Sequence, residues 1–117
     1  SEFYEGGLIV STCPELISNG QVIAAQVADS LLRIENVRMS IVVFQLTEDT
    51  GGISARSTGE LNVQVIMEAF GGGGHQNVAG AQVKGGDVED IKQQAIEIAK
   101  KYIEENDQDE SNLTAGR

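Results

Sequence analysis

Residues 39–57 read MSIVVFQLTEDTGGISARS, and this stretch decides the fold. Met39–Leu46 is rich in β-branched residues and apolar at consecutive positions, the pattern of a central strand covered on both faces. Glu48-Asp49-Thr50-Gly51-Gly52 reads as a turn. Ile53–Ser57 then pairs back as the second arm of a hairpin. Alternation along that arm sends Ser54 and Arg56 to the face opposite Ile53 and Ala55.

Upstream, Leu8, Ile9 and Val10 mark a short buried strand over Gly7–Cys13, closed by Pro14. From Asn19, a reasonable N-cap, the pattern turns helical: Ile23, Val27, Leu31 and Ile34 form one stripe, with Ala24, Ala28 and Leu32 beside it. Downstream, Asn62 caps a short helix ending near Phe70, where a run of glycines stops it. Ala79–Val83 reads as a strand, Lys84-Gly85-Gly86 as a turn. Asp87 caps a last helix whose apolar face is Val88, Ile91, Ala95, Ile98 and Tyr102. The expected order is β-α-β-β-α-β-α, a single small α/β domain with a mixed sheet and helices packed on it. It should occupy residues 1–105, and the polar, aperiodic 106–117 should be a disordered tail.

The chain has 117 residues, 40% of them hydrophobic, enough for one modest core. Its net charge is −10. Five acids follow residue 103, against Arg117 alone, yet without them 13 acids still face 7 bases. A duplex-binding surface needs a basic stripe to displace counterions, and none is visible, so duplex nucleic acid is not an expected partner. Three Phe, two Tyr and no Trp leave little for a base-stacking platform along a single strand. A phosphate, if bound, is held by a few placed groups. The single Cys13 cannot form an internal disulfide, and no secretory pattern or membrane-length apolar run is present, so a soluble, cytoplasmic domain is expected. The first residue is Ser1 rather than Met, which suggests a fragment or a processed product.

Three groups could carry chemistry. Ser54-Ala55-Arg56-Ser57 offers a guanidinium fork with hydroxyls beside it, suited to a phosphate or carboxylate, although an exposed strand arginine would look the same. Gly71-Gly72-Gly73-Gly74-His75 joins the only four-glycine run to the only histidine. Residues without a Cβ let backbone come close to a ligand or another strand, and consecutive free N–H groups can form an anion-binding concavity. The spacing is not that of a P-loop. Asn77, Ala79, Gly80 and Ala81 are small enough to lie beneath a ligand, or simply to pack a helix closely.

Other chemistries lack their residues. One His and one distant Cys supply no metal site. Glu60, Glu68, Asp87, Glu89 and Asp90 sit at helix starts or on polar helix faces, where capping and solvation account for them. Cys13 reads as a buried small hydrophobe, and no Ser/His/acid set can be assembled. The residues therefore describe a binding surface for a small anionic ligand, with no catalytic group of their own.

ISARS at 53–57, NVQVIME at 62–68 and GGGGH at 71–75 together resemble the DHH-associated, C-terminal substrate-binding domain of DHH-family phosphoesterases, with residues 7–103 covered. The glycine–histidine loop is shared with RecJ-type exonucleases and nano-RNA phosphatases. ISARS and NVQVIME are more similar to the membrane-anchored cyclic-di-AMP phosphodiesterases of the GdpP type. The resemblance implies a division of labour. A preceding DHH domain, whose Asp-His-His motif is not in these residues, would hold two manganese ions and cut the phosphodiester. The present domain would fold over that cleft and grip the nucleotide, inactive alone.

Carried over residue by residue, Arg56 and Ser54 would contact a substrate phosphate, with Ser57 and Asn77 counted beside them. Gly72, Gly73 and Gly74 would admit the nucleotide close to the backbone, and His75 would hydrogen-bond a phosphate or base. The implied partners are a cyclic dinucleotide or short linear nucleotide and the DHH domain of the same chain. The parent would be anchored to the cell membrane, and a homodimer could form through the first helix or an edge strand. Two alternatives stand beside this reading: the same fold serving a linear substrate, in an exonuclease or nano-RNA phosphatase, and a non-catalytic interaction domain.

Overall fold

The computed structural model describes residues 1–115, with side chains through Gln108. Glu2–Tyr4 (β1) folds back antiparallel on Leu8–Cys13 (β2). Gly20–Leu32 (α1) crosses over to Met39–Thr47 (β3), which lies parallel to β2. Thr50–Ser57 (β4) returns antiparallel to β3. Val63–Glu68 (α2), the two-residue strand Gly73–Gly74 (β5), Val78–Lys84 (β6) and Val88–Ala115 (α3) complete the chain. The mixed sheet has the order β1-β2-β3-β4-β6-β5. The expected α/β architecture and element order hold, with β1 and β5 added; three and two residues are too short for a periodicity to reveal them.

Strand β3 is covered on both faces, as its unbroken apolar run requires. Met39, Ile41 and Val43 join the larger core beneath α2 and α3, with Leu8, Ile53 and Ala55. Val42 and Phe44 point the other way, to Ala24 and Ala28 of α1. Ser40, fully buried on that side, donates its hydroxyl to the Ala28 carbonyl at 2.7 Å, so its polar atom is satisfied.

Three local expectations change. Helix α1 buries its alanine face, and Ile23 and Ile34 are each 41% exposed. Ala24 and Ala28 let the helix axis sit close enough for the Ser40–Ala28 bond, which larger side chains at those positions would prevent. Asn19 precedes α1 in a left-handed conformation (φ 58°) and makes no side-chain cap. Gly51 and Gly52 lie inside β4, not in the turn, which is only Glu48-Asp49. A Cβ on Gly52 would strike the Phe44 ring and one on Gly51 the Ile91 side chain, so both glycines are bare because neighbours fill their space.

Helix α3 also continues past residue 105, where a disordered tail was expected. Arg38 forms a two-pronged bond to Asp107, 3.1 and 2.9 Å, joining residues 69 apart in sequence. That guanidinium holds the Asp107 carboxyl below the usual aspartate range. Glu104 accepts from Gln108 one turn on, at 3.3 Å. Residues 116–117 lie outside the described residues. Among the described residues no helix is long and apolar enough to cross a membrane.

Candidate functional site

Each glycine of 71–74 has its own structural reason. Asn62 caps α2, its Oδ1 accepting from the Gln64 N–H at 2.9 Å, while its own N–H donates to Tyr102 Oη at 2.8 Å. The helix ends when the Gly71 N–H donates to the Glu68 carbonyl (3.0 Å) and the Gly72 N–H to that of Met67 (2.9 Å), with Gly71 at φ 80°. This pair of bonds is a Schellman terminator, which favours glycine at the left-handed position. Gly72 presses against β6: a Cβ there would collide with the Gly80 carbonyl and come within 2.6 Å of the Ala81 Cβ. Gly73 and Gly74 pair with Gly80 and Ala79 as the edge strand. The His75 N–H closes the turn by donating to the Val78 carbonyl at 2.7 Å.

These bonds correct one expectation. The N–H groups of Gly71, Gly72 and His75 are all taken by backbone carbonyls, so the run does not present a row of free amides to an anion. Its bareness serves close approach to β6 instead. A Cβ on Gly73 would meet nothing within 4 Å, so this residue faces open space.

That space is a groove of about 550 Å³ on the α1 side of the sheet. Helix α1 packs on β3 and β4 and leaves the β6–β5 end of this face uncovered. Ser54 and Gly80 contribute to the groove from paired positions on β4 and β6, with the glycine loop on one side. Gln21, Phe44, Leu46, Ile53, Ala81 and Gln82 line the remainder. Among the described residues no ionisable side chain lines it. The Ser54 side chain has no hydrogen-bond partner among the described residues, so its hydroxyl is available to a ligand.

Arg56 lies two residues farther along the same face of β4. Its Nε donates to Asp29 Oδ1 of α1 at 2.7 Å and its Nη1 to the Ala55 carbonyl at 2.9 Å. The side chain is only 12% exposed, and Nη2 keeps both of its N–H groups without a partner among the described residues. Two fixed corners and one free corner make a pre-oriented donor for an oxyanion. His75 is exposed at the same end, tied through its backbone to Val78, which pairs with Arg56.

The structure therefore brings Ser54, Gly71, Gly72 and Gly73 together around one groove; Arg56 is outside its lining, two residues along β4 from Ser54, and Gly74 and His75 follow Gly73 in the loop. It places Ser57 and Asn77 elsewhere. Ser57 is 3% exposed on the α2–α3 side and donates to the Leu61 carbonyl at 2.6 Å. Asn77 Nδ2 donates to the Ser57 hydroxyl at 3.0 Å, so the pair fastens the loops at 58–61 and 76–77. The residues not anticipated are Asp29, Gln21 and Gln82. Asp29 and Gln21 sit on polar positions of α1 with no distinguishing pattern. Gln82 carried a faint signal, as the long polar residue alternating with Ala79, Ala81 and Val83.

Among the described residues no group of three or more His, Cys, Asp or Glu could hold a metal ion. The groove can bind and orient a ligand, and the groups around it supply hydrogen bonds and one fixed cation.

Comparison with known proteins gives these features a context. The DHHA1 domain family model matches residues 5–105. The chain is 43% identical over 101 residues to the cyclic-di-AMP phosphodiesterase PdeA of Listeria monocytogenes, covering 86% of this chain and 15% of that protein. It is 40% identical over 103 residues to the cyclic-di-AMP phosphodiesterase GdpP of Bacillus subtilis, covering 86% of this chain and 16% of the relative. The chain thus spans about one-sixth of the curated relatives it matches. Among solved structures, an exopolyphosphatase-related protein from Bacteroides fragilis superposes with a TM-score of 0.62 at 25% identity, over 89% of this chain and 31% of the other.

Proposed function

Because this chain belongs to the DHHA1 domain family, we propose that it is the nucleotide-gripping module of a phosphodiesterase that hydrolyses cyclic-di-AMP to linear pApA. The observation that carries the proposal is the uncharged groove holding the free Ser54 hydroxyl, with the half-fixed Arg56 guanidinium two residues farther along the same face of β4. A small ligand carrying one or two phosphates needs a few aimed donors rather than a basic surface, which reconciles phosphate binding with a net charge of −10.

In this reading the Arg56 Nη2 edge and the Ser54 hydroxyl hold phosphate oxygens. The close packing of Gly72 on β6 lets the nucleotide lie against the sheet. His75, exposed at the same end as Arg56, hydrogen-bonds a phosphate or base and helps to orient the scissile bond. The DHH domain of a longer, membrane-anchored parent would hold the metal, manganese on our reading, and that metal would supply an activated water and positive charge for the phosphoryl group. The present residues position the substrate against it.

The test is turnover by the full-length parent protein on cyclic-di-AMP, pApA and short oligonucleotides, with manganese present. Cyclic-di-AMP is expected to be cleaved with the highest kcat/KM. Rapid turnover of oligonucleotides with cyclic-di-AMP untouched would instead assign the groove to a linear substrate.

A further inference from the structure

We propose that Ser57 and Asn77, which do not reach the groove, position His75 for the reaction by clasping the stem of the loop that carries it. The inference rests on the reading of the groove as a nucleotide site and adds to it two residues that act through His75.

Alternation gives neighbouring residues at the end of β4 opposite tasks. Arg56 points to the α1 side and Ser57 to the α2–α3 side. After Ser57 the chain leaves the sheet, forms α2 and the glycine run, and returns at Asn77, one residue before β6. The two ends are joined there. The Ser57 N–H donates to the Asn77 carbonyl at 3.1 Å, and the Val63 N–H donates to the Gln76 carbonyl at 2.8 Å. Val63 opens α2, so its N–H has no partner within the helix, and this bond both satisfies it and ties the helix to the returning chain. The Ser57 hydroxyl donates to the Leu61 carbonyl at 2.6 Å, with the Gln76 carbonyl 3.2 Å away, and accepts from Asn77 Nδ2 at 3.0 Å. Gln76 Nε2 donates to the Gly59 carbonyl at 2.9 Å.

The clasp closes directly on His75. Gln76 and Asn77 follow it, and its own N–H donates to the carbonyl of Val78, which lies opposite Arg56 in the β4–β6 register. The backbone at His75 is thus fixed relative to Arg56, while the imidazole is exposed and makes no hydrogen bond among the described residues. Helix α2, six residues long, is too short to hold the other side of the loop without such ties. Opening the clasp therefore loosens His75 and leaves Ser54 and Arg56 on their strand. Asn77→Ala opens it with little harm to the fold, because each carbonyl that Asn77 vacates keeps a second donor: Leu61 from Ser57, and Gly59 from Gln76.

The experiment is a double-mutant cycle on the full-length parent, with kcat and KM for cyclic-di-AMP measured in wild type, Asn77→Ala, His75→Ala and the double variant, manganese present. Asn77→Ala is expected to lower kcat/KM about 10- to 100-fold, the scale of a misplaced positioning group. It should add less than about twofold to the loss caused by His75→Ala, because the two residues act as one unit. A loss of stability alone would act equally with or without the imidazole. Should Asn77→Ala lower the thermal unfolding midpoint, the cycle is repeated with Gln76→Ala, which gives up only the exposed tie to Gly59 and is expected to show a smaller loss that likewise vanishes beside His75→Ala. Losses that multiply in the double variant, or full activity in Asn77→Ala while His75→Ala is impaired, overturn the positioning role and leave the nucleotide site standing. Full activity in His75→Ala overturns the assignment of His75, and this inference with it.

Discussion

Gly72→Ala is expected to remove most of the parent's cyclic-di-AMP turnover and to destabilise the domain by about 1–3 kcal/mol. The added methyl has nowhere to go. It would meet the Gly80 carbonyl and stand 2.6 Å from the Ala81 Cβ, and β6 is held on its far side by the full register of β4. The two-residue strand β5 is the partner that must yield, and it carries the loop that walls the groove. A displacement of about 1 Å in a positioning element is enough for a large loss of rate. Gly73→Ala is the informative contrast. Its methyl enters open space, so urea unfolding is expected to be near wild type while the groove is partly filled and substrate affinity falls. Equal stability and equal activity for both variants would refute this account of the loop.

Arg56→Ala is expected to raise KM for cyclic-di-AMP about 10- to 100-fold, the range for losing a hydrogen bond to a charged group. Stability should change far less. The Asp29 partner is 55% exposed, so the ion pair contributes little to folding, and water can solvate the carboxylate left behind. Asp29→Asn tests the positioning directly. It keeps the side-chain shape and removes the charge that anchors Nε, so a KM increase smaller than that of Arg56→Ala is expected with kcat nearly unchanged. Steady-state kinetics on the full-length protein separates the two parameters.

The reason these residues could be found is also the reason others could not. A period of two is a local property of a strand, so ISARS showed that Ser54 and Arg56 share a face before any fold was known. The run MSIVVFQL likewise required cover on both sides of β3. Helix α1 was less legible, because apolar residues occupy more than one of its sides. Periodicity marks stripes, but only the buried Ser40 hydroxyl and its bond to Ala28 show which stripe meets the sheet. Gly51 and Gly52 resembled a turn because the Ile91 and Phe44 side chains that fill their space come from other parts of the chain. The continuation of α3 depends on Arg38 reaching Asp107, a contact that no local window contains. Ser57 and Asn77 had the right chemistry for a ligand, yet both are occupied with fastening loops on the opposite face.

On the proposed reading, the groove beside Gly71–Gly73 holds the nucleotide with its phosphate toward Arg56. A crystal structure of the full-length parent with a non-hydrolysable phosphorothioate analogue of cyclic-di-AMP tests it most directly. The expected result is a phosphate oxygen within about 3.2 Å of both Arg56 Nη2 and Ser54 Oγ. An analogue bound at the catalytic centre with neither group in contact would contradict it.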